Sequence, residues 1–138
     1  MTGTYEHNFD AKGRLIIPSR LREKLGDACY VTLSYDPCLS IYSETEWEAF
    51  RAKVDSRPQA ESRQMRVVFA NTARCEFDAQ GRILIPQKLR SFVGLTRNVT
   101  IIGFSNHAEI WDREKYAEVE AEELSLENIA TAWKDLRI

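Results

Sequence analysis

The sequence predicts a single α+β domain in which two copies of one module fold against each other. Three observations predict it. First, Asp10-Ala-Lys-Gly-Arg14-Leu-Ile-Ile-Pro18 returns 68 residues later as Asp78-Ala-Gln-Gly-Arg82-Ile-Leu-Ile-Pro86. Second, the match continues beyond the motif. Leu21 and Arg22 correspond to Leu89 and Arg90, Gly26 to Gly94 and Val31 to Val99. With the offset slipping to 69, Ile41-Tyr42 corresponds to Ile110-Trp111 and Trp47 to Tyr116. Third, each copy is too short to bury a comfortable core of its own, and two units are too few for a stacked array, which needs at least three. A shared core follows, as in a dimer joined into one chain.

The elements of the first copy follow in order. Tyr5-Glu-His-Asn-Phe9 alternates apolar and polar residues, as a half-buried strand does. Asp10 to Gly13 is a tight turn, because an Asp side chain accepts bonds from backbone N–H groups ahead of it and Gly tolerates φ > 0. Arg14-Leu-Ile-Ile17 is the returning strand, so the pair reads as a hairpin. Pro18 suits the first turn of a helix running to Leu25, with Leu21 and Leu25 on its buried side, and Gly26 stops it. Strands at about 29–35 and 39–43 flank Asp36-Pro37. Glu44 to Val54 is an amphipathic helix through Trp47, Phe50 and Val54.

The second copy repeats this order. Cys75 to Phe77 is a strand, Asp78 to Gly81 the turn, Arg82 to Ile85 a strand, and Pro86 to Val93 the short helix, closed by Gly94. Strands at about 98–103 and 108–111 precede a helix capped by Asp112. Between the copies, Ala60 to Asn71 carries Met65, Val68 and Phe69 at helical spacing and reads as a connecting helix. After about residue 125, Leu126, Ile129, Ala130, Trp133 and Leu136 form a last amphipathic stripe, to be buried on the chain's own core or on a neighbouring subunit. The resulting division is 1–56, 57–72, 73–124 and 125–138.

Hydrophobic content of 43% and charged content of 29% suit a soluble globular chain. No apolar run approaches the ~20 residues of a membrane span, and Met1 to Glu6 lacks the basic start and apolar stretch of a signal peptide. Cys29, Cys38 and Cys75 are odd in number and lack Cys-x-x-Cys spacing. The expectation is reduced thiols in a cytoplasm, with Cys29 a small core residue, rather than a disulfide framework or zinc site. The net charge of −2 speaks weakly against nucleic acid. Its distribution reverses the argument: residues 57–97 hold eight basic residues against three acids, and residues 107–138 hold nine acids against four bases. Either the basic stretch is a cationic face for DNA, or these are solvated helix surfaces.

Enzymatic chemistry has little to stand on. His7 and His107 have no counterparts in the other copy, and no Ser/His/Asp grouping, phosphate-binding Gly loop or metal spacing is present. No cofactor, metal or small-molecule substrate is expected. Asp10 and Asp78 suit turn capping better than acid–base work, because both open matching Gly turns with Gly13 and Gly81. The duplicated basic residues carry the signal. Arg14 and Arg82 begin strands; Arg22 and Arg90, with Arg20 and Lys88, lie on the short helices; Lys12 sits in the first turn. On a two-fold scaffold they would offer two equivalent cationic edges to duplex DNA. Arg14 and Arg82 can equally brace the turn by pairing with the Asp four residues earlier, and Arg22 and Arg90 either contact DNA or stand in solvent.

Phe9-Asp-Ala-Lys-Gly-Arg-Leu-Ile-Ile-Pro18 resembles the signature hairpin of AbrB-type, swapped-hairpin β-barrel DNA-binding domains. Two such motifs in one chain of this length resemble the MraZ family. Asp36-Pro-Cys-Leu-Ser-Ile-Tyr42 with Trp47, Glu109-Ile-Trp-Asp112 and Trp133-Lys-Asp-Leu136 are similar too, so the likeness spans nearly the whole chain. The resemblance implies a pseudo-dimeric swapped-hairpin barrel with peripheral helices. It also implies a cytoplasmic, nucleoid-associated regulator that binds direct repeats upstream of a division and cell-wall gene cluster headed by its own gene, and ring-like, octamer-like homo-oligomers. The DNA-facing positions fall on Arg14, Arg82, Arg22 and Arg90. Where single-copy relatives often carry a further basic residue before the motif, this chain has His7 and Cys75. An antitoxin of the same barrel class and a non-catalytic oligomeric interaction module are the rival readings.

Overall fold

The computed structural model describes all 138 residues. The first copy supplies β1 (Thr4–Asn8), β2 (Arg14–Ile16), α1 (Ser19–Leu25), β3 (Ala28–Leu33), β4 (Leu39–Ser43) and α2 (Glu44–Asp55). Two short helices follow, α3 (Gln59–Ser62) and α4 (Arg66–Ala70), joined by a 3-10 turn at Arg63–Met65. The second copy supplies β5 (Ala73–Glu76), β6 (Arg82–Leu84), α5 (Gln87–Phe92), β7 (Asn98–Phe104), β8 (His107–Asp112) and α6 (Arg113–Glu123), and α7 (Leu126–Leu136) closes the chain. Apart from the connecting helix, the predicted elements are present, with ends shifted by one or two residues. Ser43 and Asp112 cap α2 and α6 from equivalent positions, accepting from the N–H of Glu46 and Lys115.

Six strands form one antiparallel sheet in the order β1-β7-β8-β4-β3-β5, and β2 and β6 form a separate two-stranded ribbon. Exchanging the copies and reversing the order returns the same sheet. The pseudo-two-fold passes between β4 and β8, where Ser40 faces Glu109. The sheet's order is open, with β1 and β5 at its edges.

The copies exchange strands, and this corrects the local hairpin expected from the sequence. β1 and β2 share one turn but do not pair as strands. β1 pairs with β7, and β2 pairs with β6 of the other copy. The reason is burial. Leu15 lies opposite Ile83 across the ribbon, and Leu15, Ile17, Ile83 and Ile85 all point into the core with Val31, Ile41, Val99, Ile101 and Ile110 of the sheet. Each such side chain contributes about 1.5–3 kcal/mol of transfer free energy. A three-residue strand paired only within its own copy would have no common interior to fill.

A second correction concerns the repeat. The motif's offset of 68 pairs Val31 with Val99. The register instead makes Val31 equivalent to Ile101 and Cys29 to Val99: Cys29 faces Cys75 on β5, as Val99 faces His7 on β1. Three residues separate Leu25 from Cys29 and five separate their equivalents Val93 and Val99, and the period-2 pleat absorbs this insertion of two without turning the core face outward. The three cysteines are free and buried.

The connecting segment is also not one helix. It breaks at Arg63–Met65 into α3 and α4, which lets Phe69 reach the edge of Trp47 at 5.5 Å between ring centroids. Trp47 itself stacks on Tyr30 at 5.3 Å and is buried within its own chain. α7 shows the reverse: Leu126, Ile129, Trp133 and Leu136 are all exposed, so its apolar stripe does not join this chain's core.

Candidate nucleic-acid interface

The ribbon and the turns that feed it gather most of the sequence-predicted residues. In the first turn, Asp10 Oδ1 accepts from the N–H of Lys12 and of Arg14, both at 2.9 Å, and Oδ2 accepts from Arg14 Nε at 2.7 Å. Asp78 repeats this with Gln80, Arg82 and Arg82 Nε, the last at 2.8 Å. The Arg14 N–H contact leads the interactions that hold the Asp10 carboxyl below its ordinary range, with the Arg14 guanidinium and the Lys12 N–H adding to it against a raising effect of desolvation. Asp78 is lowered by the same pattern, led by the Arg82 N–H. The pairing of each motif arginine with the Asp four residues earlier is therefore present. It uses only Nε of Arg14, leaving the two Nη groups without a partner in this chain. Arg82 is held further, with Nη1 3.6 Å from Asp10 of the other turn.

Gly13 and Gly81 are required twice over. Their φ angles are +82° and +78°, a region that L side chains avoid. They are also covered by an arginine from a helix of the opposite copy. A Cβ on Gly81 would fall 2.5 Å from Cζ of Arg22, and one on Gly13 would fall 2.7 Å from Nη2 of Arg90. Each arginine is held in place by Nε, Arg22 donating to the Ile17 carbonyl at 2.9 Å and Arg90 to that of Ile85 at 3.0 Å. The same turn glycines accept ribbon bonds from Ile17 N–H and Ile85 N–H. Arg90 also lies over the Phe9 ring, 5.5 Å from its centroid. Arg22 and Arg90 are thus half-buried clasps on the partner copy's turn, rather than side chains standing free in solvent. The pairing of each with a glycine 59 or 77 positions away lies outside any local pattern.

Alternation in the ribbon places Leu15 and Ile83 inward and Arg14, Ile16, Arg82 and Leu84 outward. Arg14 faces Leu84 and Ile16 faces Arg82. Lys12, Arg20 and Lys88 are exposed, Lys88 beside Val67 and Asn71. The two apolar residues of this face, 44% and 57% exposed, carried no functional weight in the sequence, though their two-residue spacing from Arg14 and Arg82 was there to read. His7 and Cys75 add no charge. Burial, helped by the Arg113 cation, holds His7 below its ordinary value, so it is neutral near pH 7, and Cys75 is a buried thiol.

The two turns match more closely than the concave flanks beside them. Asp27 and Arg97 are equivalent, their carbonyls accepting from Phe77 N–H and Phe9 N–H. One flank is lined by Arg22 and Arg74 together with Glu23, Asp27, Glu76 and Asp78, and Arg74 is already engaged by Glu44 and Glu76. The other is lined by Arg90 and Arg97 with Asp10 as its only acid. The pseudo-two-fold therefore holds for the backbone and fails for the charge.

A second polar group lies on the opposite face of the sheet. Glu109 is buried, accepting from Trp111 Nε1 at 3.0 Å with His107 Nε2 at 3.4 Å. Burial alone would raise its pKa. The bonds from His107, Trp111 and the Cys38 thiol outweigh this and hold the carboxyl below its ordinary value. With its acceptors satisfied, Glu109 is part of the packing between β8 and its neighbours.

Comparison with known proteins adds an independent finding. The family described as "MraZ protein, putative antitoxin-like" matches residues 1–67 and again 68–137. A transcriptional regulator MraZ from Acetivibrio thermocellus is 46% identical over 132 residues, covering 93% of this chain and 92% of the relative. The protein of the same name from Halothermothrix orenii is 40% identical over 140 residues, covering 99% and 98%. That from Desulforamulus reducens is 41% identical over 138 residues, covering 97% of each.

Proposed function

Because the chain belongs to the MraZ family, we propose that it is a sequence-specific, DNA-binding transcriptional regulator that engages duplex DNA through the β2–β6 ribbon and its two turns. One observation carries the reading: Arg14 and Arg82 are braced by aspartates on the outward face of a two-stranded antiparallel ribbon. Such a ribbon fits the major groove, and a preorganised arginine end can donate to guanine O6 and N7. Lys12, Arg20 and Lys88 would meet phosphates around it. Arg22 and Arg90 would serve chiefly by holding the turns and secondarily by presenting charge. We take the sheet with its covering ribbon as the swapped-hairpin barrel that the motifs resemble, and retain 1–56, 57–72, 73–124 and 125–138 as its working division.

The expected operator is a set of direct repeats upstream of the division and cell-wall gene cluster, including the chain's own gene. The unlike flanks support this. The flank with Arg90 and Arg97 suits phosphates, and the one with Glu23, Asp27 and Glu76 repels them. A chain with this polarity lies on DNA in one orientation, although its backbone has a pseudo-two-fold. Repeats in one orientation then call for several copies of the chain in one orientation, which a closed head-to-tail ring supplies. The exposed stripe of α7 suits such a seam, with Trp133 as its anchor. Trp47, by contrast, is buried within its own chain, and Tyr116 is engaged with Trp111 at 5.6 Å. A cytoplasmic, nucleoid-associated location accompanies this role, and no helix is long and apolar enough to cross a membrane.

A footprint of the purified chain on the DNA upstream of its own gene tests the proposal. Protected direct repeats are expected, with log K falling by about 0.9 per phosphate neutralised as log salt rises. Binding without sequence preference, or without salt dependence, would overturn it. Light scattering at micromolar concentration tests the assembly. A monomer that binds its repeats without cooperativity would rule out the ring.

A further inference from the structure

We propose that Ile16 and Leu84 read thymine 5-methyl groups in the major groove, beside the contacts made by Arg14 and Arg82. The inference rests on the reading that the β2–β6 ribbon faces DNA, and adds a specificity element to it. A single exposed apolar residue means little. These two are equivalents in the repeat, at the same offset of 68, and both stand on a strand of an arginine-bearing ribbon face. Neither belongs to the core that Leu15 and Ile83 enter from the other side of the same strands.

The grid of this face is regular. Arg14 sits across from Leu84, and Arg82 across from Ile16. Positions two apart on a strand are separated by about 7 Å and direct cross-strand partners by about 5 Å. With base pairs about 3.4 Å apart, an arginine and its nearest apolar neighbour span one to two steps of a duplex. The thymine C5-methyl is the apolar group on the major-groove edges of the four base pairs, and guanine offers the acceptor pair suited to arginine. The minor groove and the phosphates offer no comparable partner. A second copy of the same face is disfavoured, because Arg14 and Arg82 would meet like charge. The expected half-site therefore has a thymine within one or two base pairs of a guanine, on both sides of the ribbon's two-fold.

The probe is the footprinted duplex and its copy with deoxyuridine in place of each thymine under the ribbon, which removes methyl groups and nothing else. Wild-type full-length chain is expected to bind the uracil duplex roughly three- to fivefold more weakly per methyl lost, the effect of one buried methyl-sized group. Ile16→Ala and Leu84→Ala should each lose part of this discrimination, and the double variant should bind both duplexes equally. Arg14→Ala should bind more weakly while still preferring thymine. If wild type binds both duplexes equally and Arg14→Ala loses affinity, the methyl proposal falls and the DNA reading stands. A thymine preference undiminished in the double variant also overturns the proposal. A wild-type chain that binds no duplex specifically overturns the DNA reading and this inference with it. The wild-type comparison needs no variant, so the test does not depend on the alanine proteins folding.

Discussion

Replacing Gly81 by alanine should expose the clasp between the two copies. Two costs are separable. The first is backbone strain, because an L side chain at φ +78° costs about 1–2 kcal/mol. The second is displacement of Arg22, whose Cζ, Nε and Nη1 lie 2.5, 2.7 and 2.8 Å from the position of the new Cβ. Moving that guanidinium breaks its bond to the Ile17 carbonyl, worth about 1 kcal/mol net. Gly81→Ala should therefore destabilise the chain by about 2–3 kcal/mol, a fall in Tm of the order of 6–12 °C for a chain of this size. In an Arg22→Ala background only the backbone strain remains, so the same substitution should cost about 1–2 kcal/mol. Urea unfolding of the four proteins of this cycle gives a coupling of about 1 kcal/mol. A cost for Gly81→Ala that is the same with and without Arg22 would refute the packing of the guanidinium on the opposite turn.

The other expectations are simpler. Arg14→Ala and Arg82→Ala should each weaken specific DNA binding by about 1–3 kcal/mol in an anisotropy titration. Arg82→Ala should cost more stability, since it loses pairs to both Asp78 and Asp10, although exposure keeps the contribution of each pair small. Two folded variants that bind like wild type would leave the arginines purely structural. Asp10 and Asp78 have folded-state values below the 3.8 of a free aspartate, so their contribution is present above that value and lost as pH falls through the depressed one. Melting curves from about pH 5 to about pH 2 should show a shallower acid slope in Asp10→Asn/Asp78→Asn than in wild type, and an unchanged slope counts against the brace. Burial pushes the Cys29 and Cys38 thiols up to about 12 and raises Cys75, so none should alkylate in the native chain near about pH 8. Stoichiometric labelling without denaturant would contradict that burial.

Much of this protein was legible in its sequence because the information is local. Asp10 and Asp78 with Gly13 and Gly81 dictate their turns by bonds spanning four residues, and Pro18 and Pro86 start short helices whose buried faces carry Leu21 and Leu25 in one and Leu89 in the other. The doubling of the motif implied a shared core, and the paired arginines suggested two equivalent cationic edges. What remained hidden depends on contacts between distant segments. Whether β2 pairs with β1 or with β6 is decided by which arrangement buries Leu15, Ile17, Ile83 and Ile85 in one interior, and a three-residue strand carries no register signal of its own. Arg22 over Gly81 and Arg90 over Gly13 follow only after that exchange is made. Equivalence of Asp27 with Arg97, and hence the unlike flanks, was masked by the two extra residues before β7, which the pleat tolerates and a linear alignment misreads. The exposure of α7 was likewise open, because its periodicity specifies an apolar stripe and only the surrounding packing decides what covers it.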